Sequence, residues 1–250
     1  VHGKIEKRHF KFFYDSPVRS GKELYILLDV LFEKNHYAQL VQKEIVNDLL
    51  LTEGENQLVS IPSVDCVLGD KLTAFAPYTT GIPLRKEKDM EVIKQFFDVS
   101  TLTNEITDFD LVRRTYFDIC DTEIGYRELD ITPADALMDS IQAAICICSR
   151  GKSNEDDFPC YLRGTRDISQ HIYVQGFSME RAALMAPQVI YLASCLLAGS
   201  AYTRVDDPQP YQKEKLTQPD MLIMKSLRRG SSIGYAYLVK ADRLLTDYRK

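Results

Sequence analysis

The stretch Leu24-Tyr-Ile-Leu-Leu-Asp-Val-Leu-Phe32 decides how the front of this 250-residue chain is read. Its even positions, Leu24, Ile26, Leu28, Val30 and Phe32, are all apolar, and its odd positions are apolar except Asp29. A segment apolar on both alternating faces reads as an interior β-strand. Just upstream, HFKFFY (9–14) reads as a second strand, and DSPVRSGK (15–22) between them holds Pro, Gly and two Ser. Such a short turn-rich connection predicts an antiparallel hairpin. Downstream, residues 37–51 stay open between a helical stripe (Tyr37, Leu40, Val41, Ile45, Leu49) and a loop with short extended pieces. Leu58 to Ile61 reads as a short strand.

From Ser63 the pattern turns helical. Ser63 is a helix N-cap candidate for a helix to Phe75, and Pro77 ends it. A loop over 77–83 precedes a helix over 88–102, and residues 109–120 suit another. Thr132-Pro133 is a cap and first-turn pair for a helix ending near Gly151. Residues 153–160 read as a polar linker, and 178–197 as a long helix with Pro187 inside it. Pro208 and Pro210 mark a loop, and helical segments close the chain. Strands first and helices after is an α+β pattern, a small sheet domain followed by a helical one.

Composition narrows the class. Apolar residues are 45% and charged residues 27%, ordinary for a globular protein. The most apolar stretch, near 189–198, is too short and interrupted to span a bilayer. The net charge of −5 argues against a broad nucleic-acid face. Arg85-Lys86-Glu87-Lys88 and the cluster from Lys225 to Arg229 can touch phosphate, although a solvated surface is the simpler reading. Six cysteines lie at 66, 120, 146, 148, 160 and 195, with neither a zinc spacing nor a disulfide framework. They are expected reduced and mostly buried, in a cytoplasmic protein. The chain opens with Val-His-Gly-Lys, without Met and without an apolar leader, and a strand-like run follows almost at once. The expectation from this is a chain that begins inside a domain.

Three charged residues attract notice. Asp29 interrupts an apolar face, where an ionised carboxylate costs several kcal/mol (about 3–5) unless paired or metal-bound. A partly exposed strand with a solvated Asp is the alternative. Lys71 lies along the stripe Val64, Val67, Leu68, Leu72, Phe75, so it must snorkel or meet an anion, either Asp29 or a nucleotide phosphate. Asp98 falls away from the arc Met90, Ile93, Phe96, Phe97, and an exposed i,i+4 pair with Lys94 accounts for it.

Taken together, LYILLDVLFE (24–33), VDCVLGDKLTAFAPYTTGIP (64–83) and IKQFFDVSTL (93–102) resemble, in order and spacing, segments of the AbiEii/AbiGii nucleotidyltransferase toxin family. GDKLTAFAP is the most specific of them, and the resemblance is good over about residues 5–104. It implies a small nucleotidyltransferase-type mixed sheet in residues 1–104 and a helical domain in 105–250. It also implies Asp29 as a metal-binding or basic carboxylate, Lys71 as the phosphate contact and Asp98 as the group positioning Lys71 or the acceptor. The implied reaction moves a nucleotide from an NTP to an acceptor such as the tRNA 3′ end, using Mg²⁺, in a toxin–antitoxin or phage-defence system with a cognate antitoxin as partner. The family's first motif, Gly-Ser followed by Asp-x-Asp, does not match: Gly199-Ser200, Gly230-Ser231 and Asp108-Phe109-Asp110 are each incomplete versions of it. That motif is expected before Val1, and the chain alone is expected to be inactive. The other class of function the residues allow is a binding or regulatory module of the same fold.

Overall fold

The computed structural model describes residues 6–47, 53–172 and 176–248. Its packing divides the chain into two compact units, one up to His36 and one from Tyr37 onward.

The first unit is the hairpin. Strands β1 (Glu6–Asp15) and β2 (Glu23–Phe32) pair antiparallel from Glu6 opposite Phe32 to Asp15 opposite Glu23. The turn closes because Ser16 N–H donates to the Lys22 carbonyl at 2.9 Å and Gly21 takes the left-handed backbone at φ 73° that a side chain disfavours. One face carries Phe10, Phe12, Tyr14, Ile26, Leu28 and Phe32, and the other carries Phe13, Tyr25, Leu27 and Leu31 together with Lys7, His9, Lys11 and Asp29. The reading of 24–32 as an interior strand is therefore corrected. Both faces of β2 are largely exposed, since the hairpin has two strands and each is an edge.

The second unit opens with β3 (Leu40–Glu44) and β4 (Leu58–Pro62), again antiparallel. This resolves the first part of the open 37–51 segment as strand, while residues 48–51 lie outside the described residues. Among the described residues the two strand pairs are separate antiparallel sheets, in place of the mixed sheet expected. β1 and β2 are joined by a short return of the chain, and such returns favour antiparallel partners.

Helices then follow: α1 (Val64–Ala74), α2 (Asp89–Leu102), α3 (Phe109–Tyr126), α4 (Pro133–Ser149), α5 (Phe158–Ile168), α6 (Met179–Leu197), the short α7 (Pro219–Leu222) and α8 (Leu227–Gly230), and α9 (Ser232–Tyr248). The α+β class holds. Local chemistry sets the ends: the Ser63 hydroxyl accepts from Cys66 N–H, and Thr132 and Asp135 form a reciprocal capping box beside Pro133. α5 begins inside the segment read as a polar linker. α4 and α6 pack at the centre, with Leu137, Ile141, Ala144, Val189, Ile190 and Ala193 buried. α1 packs on α2 and α3, and α2 on α5, so residue 104 lies within this unit and marks no break in it. All six cysteines are buried and unbridged, and burial pushes the thiols of Cys146 and Cys148 up to about 12. Among the described residues no helix is long and apolar enough to cross a membrane.

Candidate functional site

In the hairpin, Asp29 stands directly opposite His9, and Asp29 Oδ1 lies 2.6 Å from His9 Nδ1. The two side chains are 58% and 64% exposed, so this is a surface pair whose carboxylate carries little desolvation cost. The strand alone makes Asp29 look like an intruder on an apolar face. The partner strand places Lys7, His9 and Lys11 on that same face, with the Lys11 ammonium over the Tyr25 ring at 4.4 Å.

In the helical unit, Lys71 Nζ lies 3.4 Å from Asp98 Oδ2. Lys71 sits in the last turn of α1, where a cation complements the helix dipole, and Asp98 reaches it from α2. The packing that brings them together is apolar: Leu72, Phe75 and Phe96 are fully buried, and the Phe75 and Phe96 rings are 5.4 Å apart. The anion that Lys71 meets is thus Asp98, and the expected Asp98–Lys94 pair gives way to this cross-helix one. Periodicity within one helix cannot reveal it, because it depends on how α1 crosses α2. Both side chains keep a little over a quarter of their surface in solvent, 27% for Lys71 and 28% for Asp98. Next to Lys71, Asp70 accepts a hydrogen bond from the Tyr37 hydroxyl at 3.0 Å, and burial raises its carboxyl above 3.8 despite that bond and the nearby Lys71. The resemblance thus names three residues, of which Lys71 and Asp98 form one pair in the second unit and Asp29 pairs with His9 in the first.

A second polar centre went unnoticed in the sequence. Asp139 of α4 accepts from Tyr78 N–H at 2.7 Å and from the Thr79 hydroxyl at 2.8 Å, pinning the 77–83 loop. Asp157, nearly fully buried, accepts from the Tyr78 hydroxyl at 2.5 Å, from Arg85 at 2.7 Å and from Asn154 at 2.7 Å. Burial pushes the Tyr78 phenol up to about 12, helped by the Asp157 carboxylate, and burial likewise raises the Asp139 carboxyl. Asp139, Asp157 and Tyr161 line a cavity of about 100 Å³, room for a few waters. One signal was present: Asp139 interrupts the apolar run of α4. Near this centre a more open cleft of about 670 Å³ is lined by Arg85, Asp89 and Arg163, and Arg163 Nε donates to Asp89 Oδ2 at 2.8 Å. Asp89 Oδ1 is buried without a protein partner.

Among the described residues no group of three or more His, Cys, Asp or Glu is gathered. A Mg²⁺ pair takes several oxygen ligands per ion, and in the role the resemblance implies Asp29 would supply one carboxylate. Comparison of the chain with protein-family models, with curated proteins and with solved structures gives no match.

Proposed function

We propose that the chain is a nucleotidyltransferase-type protein in which Lys71 meets the phosphates of a nucleoside triphosphate and Asp98 holds Lys71 in position. The observation that carries the reading is the Lys71–Asp98 pair, formed across two helices by two of the three residues the family resemblance names and left partly open to solvent. A lysine held by one carboxylate keeps two further donors for a phosphate. The preferred acceptor class is the tRNA 3′ end, and the expected genetic partner is an antitoxin. Mg²⁺ enters with the reaction class alone, because the described residues do not gather its ligands. The proposed chemistry of this chain is therefore the holding of phosphate charge by Lys71.

A second reading, a binding or regulatory module of the same fold, is favoured by the engagement of Asp29 with His9 in a surface pair. Two measurements made in parallel separate them. Equilibrium dialysis with labelled triphosphate should show binding that Lys71→Ala weakens by about 10–100-fold, the loss of one charge-assisted contact. Transfer of label to bulk tRNA by the full gene product, abolished by Lys71→Ala and by Asp29→Asn, supports the enzyme. Triphosphate binding without transfer supports the module, and no triphosphate binding refutes both.

A further inference from the structure

The β1–β2 hairpin is amphipathic. Its register sets every even residue of β1 opposite an even residue of β2, so the even residues share one face. Glu6 and Arg8 form an ion pair at the open end of that face, and from there to the turn its side chains are aliphatic or aromatic. Phe10, Phe12, Tyr14, Ile26, Leu28 and Phe32 are 42, 56, 44, 63, 47 and 51% exposed. The odd face suits water better, because it carries Lys7, His9, Lys11 and Asp29, with His9 bonded to Asp29 and the Lys11 ammonium over the Tyr25 ring. A two-stranded hairpin is marginal in water unless an apolar face is packed against something.

We propose that the even face of the hairpin is covered by the same face of a second copy of this chain, in a two-fold dimer. Two observations choose this occupant. The first is area. At roughly 200 Å² per ring and about 100 Å² per aliphatic side chain, the exposed parts of the six residues come to about 500 Å². Two such faces together, with Leu24 and Val30 beside them, reach the total of about 1,000 Å² that a specific interface needs. The second is self-complementarity. The rings of Phe10, Phe12 and Tyr14 all stand on β1, and the residues opposite them on β2 are Leu28, Ile26 and Leu24, all aliphatic. A second hairpin turned about a two-fold axis parallel to the strands lays its β1 over β2 of the first. Each row of rings then meets a row of smaller side chains, and large over small is how facing sheets interdigitate. The other two-fold stacking, with its axis across the strands, sets rings over rings. Such a contact closes on itself at two copies and leaves the charged odd faces in water. This dimer needs neither Lys71 nor a nucleotide.

The test is charge-pair rescue between two variants of the full chain, read by sedimentation equilibrium. Phe12 and Ile26 are directly opposed within the hairpin, so in the proposed stacking Phe12 of one copy lies over Ile26 of the other. Phe12→Lys alone and Ile26→Glu alone each put two charges against apolar partners in the symmetric dimer, and each should weaken it by at least about 30-fold. An equimolar mixture of the two variants pairs the introduced lysine with the introduced glutamate at one contact and restores the original Phe12–Ile26 contact at the other. The mixture should therefore recover most of the lost affinity as a heterodimer, and that recovery also shows that both variants fold. Phe13→Lys puts the same charge on the odd face and should leave the dimer intact. A wild-type chain that stays monomeric at high concentration leaves the face to some other partner and overturns the dimer. So do open-ended growth beyond two copies and equal weakening by Phe13→Lys. A mixture no tighter than either variant alone overturns the ring-over-aliphatic stacking.

Discussion

Gly69, in the middle of α1 and two residues before Lys71, offers a sharp test of the helix packing. A Cβ built there would lie 2.7 Å from the Val112 carbonyl oxygen, 2.9 Å from the Tyr116 nitrogen and 3.2 Å from the Thr115 Cβ, all on α3. Two of these neighbours are backbone atoms that cannot rotate away. Reaching ordinary contact means separating α1 from α3 by roughly 0.7 Å, and overpacking of this kind costs about 2–3 kcal/mol. Against that, alanine gains about 1 kcal/mol over glycine inside a helix. The net effect of Gly69→Ala is a loss of about 1–2 kcal/mol, or a fall in melting temperature of roughly 2–8 °C for a unit of about 200 residues. Gly125, near the end of α3, supplies the control because nothing lies within 4 Å of its virtual Cβ. Gly125→Ala should stabilise by up to about 1 kcal/mol. Thermal melts followed by circular dichroism compare the two. If Gly69→Ala is as stable as the wild type or more so, the close approach of α1 to α3 is wrong, and with it the framework that sets Lys71 against Asp98.

Two further outcomes follow from groups described above. Burial raises the folded-state carboxyl of Asp139 above 3.8, so its contribution to stability is full below the unfolded value and is lost as pH rises through the folded one. The wild type should accordingly gain stability relative to Asp139→Asn as pH falls from neutrality towards 3.8, and urea titrations showing a flat or opposite trend would contradict the assignment. One face of the hairpin exposes Phe10, Phe12, Tyr14 and Phe32 at about half their surface, and at roughly 200 Å² per ring system this makes on the order of 400 Å² of apolar area, within the range of patches that mark contact surfaces. Sedimentation should show concentration-dependent association that Phe12→Lys with Ile26→Lys, a directly opposed pair, suppresses, and a wild-type monomer at high concentration would refute this.

What could be read from the sequence was what is local. The caps at Ser63 and Thr132 were legible because a capping side chain reaches only two or three residues along the chain. The hairpin was legible from its alternation and its turn. α5 was missed because its buried face consists of Cys160, Tyr161, Gly164, Thr165 and Ile168, a weak apolar stripe in which small residues allow α2 to approach closely. The Lys71–Asp98 pair, the His9–Asp29 pair and the Asp139–Asp157 centre each join residues far apart in sequence. Residue type pointed to Lys71 and Asp29 as charges needing a partner, and only the crossing of elements shows which partner each takes.

The six enclosed sulfhydryls give this chain a built-in clock. With no thiol at the surface and the side chains spread over α1, α3, α4, α5 and α6, an alkylating reagent meets a sulfur only when a helix swings open. Each modified position therefore dates the opening of one helix. The order in which they are modified would record the sequence in which the helical unit comes apart, with no label introduced and no residue changed.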